Sequence, residues 1–248
     1  MITWRLLIFL SFLSACLISQ NINELVEQEL RQNDIEKKVS LSIDIAWEYM
    51  LIENDSSLIY AQKALALSQD NNYPFGEIIS LEMIGIYQEA VQNKFDKSIQ
   101  NYLQAIKIAI ENKIDYLPSL YLSIGILFER TDNYLKAKEY YTYAVGESKK
   151  AKKDAVTKIA LINLAGVCNA LGTYDEGIVF IEESFQYPYV QDENDAAHHI
   201  LGSILMNKEQ YRNAQNHLIQ SVQNKDAKND LRYKFHYSKL IELSLIHI

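Results

Sequence analysis

The sequence predicts an all-α fold, a solenoid of about five helical hairpins plus the first helix of a sixth, and three observations point there. Glycine and proline number only eight and three in 248 residues, so few positions can break a helix, while Leu, Ile, Ala, Lys, Glu and Gln abound. Apolar residues recur at steps of three and four, the period of one helical face. One block, "LSIGILFERTDNYLKAKEYYTYAV" at Leu122 to Val145, also has counterparts roughly forty residues away on both sides.

Residues 1–19 read as an export signal. Arg5 precedes an apolar run from Leu6 to Ile18, shorter than the ~20 residues of a membrane-spanning helix. "LSAC" at Leu13 to Cys16 also resembles a bacterial lipobox, which makes Cys16 a candidate for acylation. Leu17 and Ile18 continue the apolar run where lipoproteins turn polar, so simple cleavage near Ser19 stands beside it. Residues 20–37 read as a linker and a short polar helix, "NINELVEQELRQ", that caps the first repeat.

The solenoid is expected over 38–228. Its first copy supplies Ala46, Tyr49, Ser57, Ala61 and Ala64; its second Gly85, Phe95, Ser98, Tyr102 and Ala105, with one extra residue between its halves. The third places Gly125, Phe128, Tyr134, Ala137, Tyr141 and Ala144; the fourth Ala165, Tyr174, Gly177 and Ser184; the fifth Gly202, Tyr211, Ala214 and Ser221. Polar breaks such as "RTDN" and "LGTYD" divide each copy into two helices. Pro74, Pro118 and Pro188 fall between copies, where proline can start a helix without losing a needed hydrogen bond. "NDLRYKFHYSKLIE", residues 229–242, begins a sixth hairpin without its second helix. The last six residues, "LSLIHI", resemble the translation of a sequencing adapter, so 243–248 are expected to be an artefact and the gene to continue; a genuine apolar tail is the alternative.

Two helices approach to about 8 Å only where facing side chains are small. That role falls to Gly85, Gly125, Ala165 and Gly202 on first helices, and to Ala137, Ala144, Gly177 and Ala214 on second helices. Aromatics fill the wider part of the wedge. The seventeen tyrosines suit it because the ring is buried while the hydroxyl reaches water or a backbone carbonyl.

The spacing of Gly125, Phe128, Tyr134, Ala137, Tyr141 and Ala144 resembles the tetratricopeptide repeat (TPR) signature, over about residues 40 to 224. The near-forty-residue period departs from the usual thirty-four. Such stretched repeats resemble those in the extracytoplasmic parts of bacterial sensor histidine kinases and LuxR-type regulators. The resemblance implies a right-handed superhelix whose concave wall is lined by the first helices. The lining positions on this chain include Glu82, Glu89, Leu122, Ile126, Glu129, Arg130, Ile162, Asn169, His199 and Met206. A peptide could place apolar side chains on Leu122, Ile126 and Ile162 and a basic group on the glutamates. Leu122 and Ile126 stand where one TPR subclass has the lysine and asparagine that grip acidic tails, so the resemblance does not extend to that clamp.

Composition and motifs point away from other functions. A net charge of -8, from 24 basic and 32 acidic residues, opposes general affinity for nucleic-acid backbone. "KKAKKD" at Lys149 to Asp154 reads as a helix end, and the aromatics of "LRYKFHYSKL" as the core of the sixth repeat. The sequence has no phosphate-binding glycine loop, His-Glu metalloprotease motif, nucleophile elbow or Cys-x-x-Cys pair. His198 and His199 are adjacent, so their side chains diverge by about 100°. His217 could approach from the partner helix, giving at most two ligands without a well-spaced carboxylate, so no metal or other cofactor is expected. Cys168, alone once Cys16 is removed, is expected in the core. Glu82, Glu89 and Glu129 are expected on a solvated or ligand-facing surface rather than as an acid-base pair.

The expected function is therefore non-catalytic binding of a protein or peptide. In one form the chain is the exported sensory segment of a longer bacterial signalling protein, periplasmic or membrane-associated, with its output domain beyond the end of this sequence. In the other it is a free-standing periplasmic or lipid-anchored scaffold of the cell envelope.

Overall fold

Asp34 restarts the chain after a first short helix: its Oδ1 accepts the Lys37 amide at 3.2 Å, capping the helix that follows. The computed structural model describes residues 21–188 and 193–222. The export signal, Cys16, the sixth hairpin and the suspected adapter residues lie outside them. The helices are α1 (21–31), α2 (Ile35–Leu51), α3 (Ser56–Asp70), α4 (Pro74–Ala90) and α5 (Phe95–Glu111). They continue as α6 (Leu117–Arg130), α7 (Tyr134–Ala151), α8 (Asp154–Ala170), α9 (Tyr174–Ser184), α10 (Glu193–Asn207) and α11 (Tyr211–Gln220). No strand occurs among the described residues. The first hairpin begins at Ile35 rather than residue 38, because Asp34 supplies the cap.

The turns keep the repeat in register. Glu53, Asn93, Asp132, Gly172 and Glu209 have positive φ inside the five hairpins, and Asn72, Lys113 and Lys152 have it between them. After most of these residues the next amide reaches back over the left-handed position, as Asn133 N–H does to the Phe128 carbonyl and Thr173 N–H to the Cys168 carbonyl, each 2.9 Å. These bonds satisfy carbonyls that the helix end leaves free. In the second hairpin, Lys94 N–H reaches one residue further, to Gln88 at 2.7 Å, which accommodates its extra residue. Pro74 begins α4 and Pro118 is the second residue of α6, whereas Pro188 follows α9 outside any helix. Lys149 and Lys150 occupy the last turn of α7, where cations complement the helix dipole.

The chain divides into two units, Met1–Tyr116 and Leu117–Ile248. In the first unit α2 packs on α3 and α4, α3 on α4, and α4 on α5. Its core gathers Val39, Ile43 and Ala46 from α2, Ala61 and Ala64 from α3, and Met83 and Ile84 from α4. α1 is tied to the first hairpin by the buried Glu29, which accepts from Ser42 Oγ at 3.1 Å and pairs with Lys63 Nζ at 2.6 Å. In the second unit each helix packs on the next in sequence, and the first helices also meet one another, α6 on α8 and α8 on α10.

The small residues sit at the closest contacts. A Cβ placed on Gly125 would lie 2.4 Å from the Tyr141 ring, one on Gly85 2.6 Å from Tyr102, and one on Gly202 2.7 Å from Leu218. The fourth hairpin solves the same seam with Ala165 and Ile181, both fully buried. Ala137, Ala144 and Ala214 are also fully buried, and a Cβ on Gly177 would lie 3.3 Å from the Ala165 carbonyl oxygen. Cys168 is buried and unpaired, and burial pushes its thiol pKa up, which keeps it a neutral core residue.

Candidate functional site

The first helices bring the expected lining residues to different environments. On α4, Glu82 is half-buried and accepts the Tyr116 hydroxyl at 2.7 Å, while the Phe75 ring meets Tyr116 edge-on. Glu89 is only 3% exposed and accepts the Tyr102 hydroxyl at 3.3 Å. Burial, and then the facing glutamates, push the Tyr102 and Tyr116 hydroxyls above the ordinary tyrosine range. In the same unit Tyr87 donates to Asp55. Seam tyrosines thus direct their hydroxyls at carboxylates, not at the backbone carbonyls or water expected from sequence.

On α6, Leu122 and Ile126 are half-buried against the core of the second unit, and Arg130 is exposed. Glu129 accepts the Tyr141 hydroxyl at 2.6 Å. Burial raises the Glu129 pKa, and the Tyr141 hydrogen bond works against the rise. On α8, Ile162 is 4% exposed and packs with Ala165, Ile181 and Ala197. Asn169 Oδ1 accepts from Asn207 Nδ2 at 2.9 Å, joining α8 to the end of α10. Close by in the chain, Lys208 pairs with Asp175. Met206 is half-buried against the core and His199 is 6% exposed.

Three of the expected lining residues are therefore corrected. Glu89, Ile162 and His199 are buried, because adjacent helices pack closely enough to close over those positions. Glu82 and Glu129 are already engaged by tyrosines and are not bare acidic groups. The exposed or half-exposed remainder in the second unit is Leu122, Ile126, Arg130, Asn169 and Met206, and the structure adds Asn207, which sequence reasoning missed.

The glutamates follow a pattern visible in the sequence. Where the seam residue of the second helix is tyrosine, Tyr102 or Tyr141, a glutamate lies thirteen or twelve residues before it. Where the seam residue is aliphatic, Ile181 or Leu218, the matching first-helix position is Asn169 or Met206. The buried phenol needs an acceptor, and the glutamate supplies one.

Glu129→Gln is expected to leave stability near neutral pH unchanged or slightly raised, since the amide oxygen still accepts from Tyr141 and no charge is desolvated. Glu129→Leu is expected to cost about 1–3 kcal/mol by stranding the hydroxyl. Because the folded pKa of Glu129 lies above its unfolded value of 4.5, its contribution is greatest below pH 4.5 and is lost as pH rises through the folded value. Thermal melts across that window should be flatter for Glu129→Gln than for the parent; parallel curves would count against the burial of this carboxylate.

Among the described residues no group of three or more His, Cys, Asp or Glu side chains is placed to hold a metal ion. His217 does approach His198, with the two Nδ1 atoms 3.0 Å apart. No described helix is long and apolar enough to cross a membrane.

Successive helical hairpins with small residues at each seam define the tetratricopeptide-repeat fold, and solved structures similar to this chain include a tetratricopeptide repeat sensor and a protein of TPR-like repeats. No family model matches the sequence. BtubC from P. vanneervenii superimposes with a TM-score of 0.69 at 15% identity, covering 87% of this chain and 91% of that one. The apo form of the quorum sensor NprR from B. thuringiensis gives 0.64 at 17% identity, covering 94% and 67%; NprR has also been solved in complex with its cognate peptide NprX. By sequence, the chain is 21% identical over 187 residues to response regulator aspartate phosphatase I of Bacillus subtilis (strain 168). That match spans 75% of this chain and 46% of the relative, so the chain covers less than half of its length.

Proposed function

We propose that this protein is a non-catalytic TPR scaffold that holds a peptide against the first helices of its second unit. The observation that carries the reading is the direct packing of α6 on α8 and of α8 on α10, which sets first helices side by side as a wall. On those helices Leu122 and Ile126 offer half-buried apolar surface. The Asn169–Asn207 pair offers carboxamides, whose donor and acceptor match a peptide group. Support comes from NprR, whose fold is similar and which binds a peptide.

The experiment is selection of binders from a displayed random-peptide library, followed by calorimetry with the strongest peptide. Ile126→Ser and the double variant Asn169→Ala/Asn207→Ala should each weaken binding at least tenfold at a temperature where circular dichroism shows the variants still fully helical. Undiminished binding by both would remove the second-unit wall as the site. The similarity to response regulator aspartate phosphatase I is a separate reading; release of phosphate from a phosphorylated response regulator by this chain would displace the non-catalytic one.

The cellular setting we propose is export, with the chain as the sensory segment of a longer signalling protein. It is motivated by the apolar run from Leu6 to Ile18. The second setting, a lipid-anchored or free periplasmic scaffold, is favoured by "LSAC" at Leu13 to Cys16. Intact-mass analysis of the mature N-terminus and the gene sequence beyond Glu242 separate them. An uncleaved N-terminus on protein isolated from its own cells would overturn both.

A further inference from the structure

We propose that His198 and His217 act as one proton-sharing unit that makes the α10/α11 hairpin an acid-sensitive element of the second unit. Their Nδ1 atoms are 3.0 Å apart. The ring centres are 5.2 Å apart, close to that gap plus two ring radii, and the planes lie within 24° of each other. The rings therefore meet edge to edge, with Nδ1 facing Nδ1, in an N–H···N hydrogen bond. His198 also lies against Phe185 at the end of α9, with centroids 4.9 Å apart.

One ring must donate and the other accept. His217 stands in the last turn of α11, where the helix dipole favours added positive charge, and we assign it as the donor. A first proton goes to His217 Nε2, which makes an imidazolium and strengthens the existing bond to His198. A second proton has only His198 Nδ1 to occupy. Two N–H groups would then oppose each other across 3.0 Å, and the hydrogen bond between the helices would become a repulsion.

Several carboxylates on the elements packed around the pair are already taken by lysines. On α8 the charged groups are Asp154 and Lys158, and Lys158 Nζ donates to the Pro188 carbonyl at 3.2 Å. On α9, Asp175, Glu176 and Glu183 take Lys208, Lys138 and Lys149 respectively, while Glu182 is exposed. α10 carries Glu193, Asp195 one turn before His198, and the adjacent His199, and α11 carries the exposed Arg212. Burial lowers both imidazole pKa values below the ordinary 6.5, and His217 lowers that of His198 further. The unfolded chain thus binds more protons than the folded one below pH 6.5. The pair's contribution is complete above 6.5 and is lost as pH falls through the lowered values.

The test is a ring-nitrogen NMR titration of the protein in the presence of a metal chelator, paired with thermal melts at pH 7.5 and 5.0. The parent should show two separate steps for the pair, more than one pH unit apart. In His217→Asn, whose amide still donates to His198, the remaining imidazole should titrate in one step nearer 6.5. The acid-induced fall in Tm should at least halve. His198→Asn provides the reciprocal measurement should the first variant not fold. Independent titration of both rings near 6.5 in the parent would overturn the proposal, as would an equal acid-induced fall in Tm for the parent and both variants.

Discussion

Gly125→Ala should destabilise the protein by about 1–3 kcal/mol, the range for overpacking a seam that cannot expand. A methyl at this position would lie 2.4 Å from the ring of Tyr141, which is fully buried and cannot swing aside. At roughly 2–4 °C per kcal/mol for a chain of this size, the fall in Tm is readily measured. Gly146→Ala in α7 is the matched control. Nothing lies within 4 Å of its Cβ position, so the same substitution there should stabilise by up to about 1 kcal/mol through helix propensity. The fourth hairpin also shows the remedy: Ala165 faces Ile181 where the third hairpin has Gly125 and Tyr141. Adding Tyr141→Ile to Gly125→Ala, together with Glu129→Asn as in the fourth hairpin so that no carboxylate is stranded, should therefore recover part of the loss. Equal melts for Gly125→Ala and Gly146→Ala, or no recovery in the triple variant, would refute this account of the seam.

Lys63→Met should release the first helix. The Glu29 side chain is 1% exposed and its carboxylate is paired with Lys63 at 2.6 Å. Removing the cation leaves a buried charge facing the Ser42 hydroxyl. Breaking a wholly buried pair costs about 3–5 kcal/mol. Lys63 is 43% exposed, so solvent already screens part of the interaction and a figure on the order of 3 kcal/mol or less is expected. The chain can avoid the whole penalty by undocking α1 into water. The readout is therefore hydrogen exchange over residues 21–31 and proteolysis at the Gln32–Asp34 link, both of which should rise while α4 and α5 stay protected. Glu29→Gln added to Lys63→Met removes the stranded charge and should return α1 to its place. Unchanged protection of α1 in the single variant would show that Ile22 and the remaining contacts suffice to hold it.

Much of the architecture was legible because the hairpin seam makes local demands. A small residue must face a large one at a fixed spacing, which singles out Gly85, Gly125 and Gly202. The polar breaks at "RTDN" and "LGTYD" marked helix ends, and the lysines from Lys149 marked the end of α7. The candidate site was less legible. Glu89, Ile162 and His199 lie at first-helix positions that resemble a ligand wall, yet each is buried. Asn207 gave no sign of its pairing with Asn169, because the two are 38 residues apart and meet only where adjacent first helices converge.

The sequence by itself determined the helical period, the hairpin boundaries and the small residues at each closest approach, since these depend on spacing within one or two turns of chain. Tertiary structure alone decided which polar groups meet. Tyr141 finds Glu129, Lys63 finds Glu29 and His198 finds His217 only once separate helices are laid side by side. Helical periodicity tells each side chain which way to face, but the lateral and axial fit between helices selects its partner.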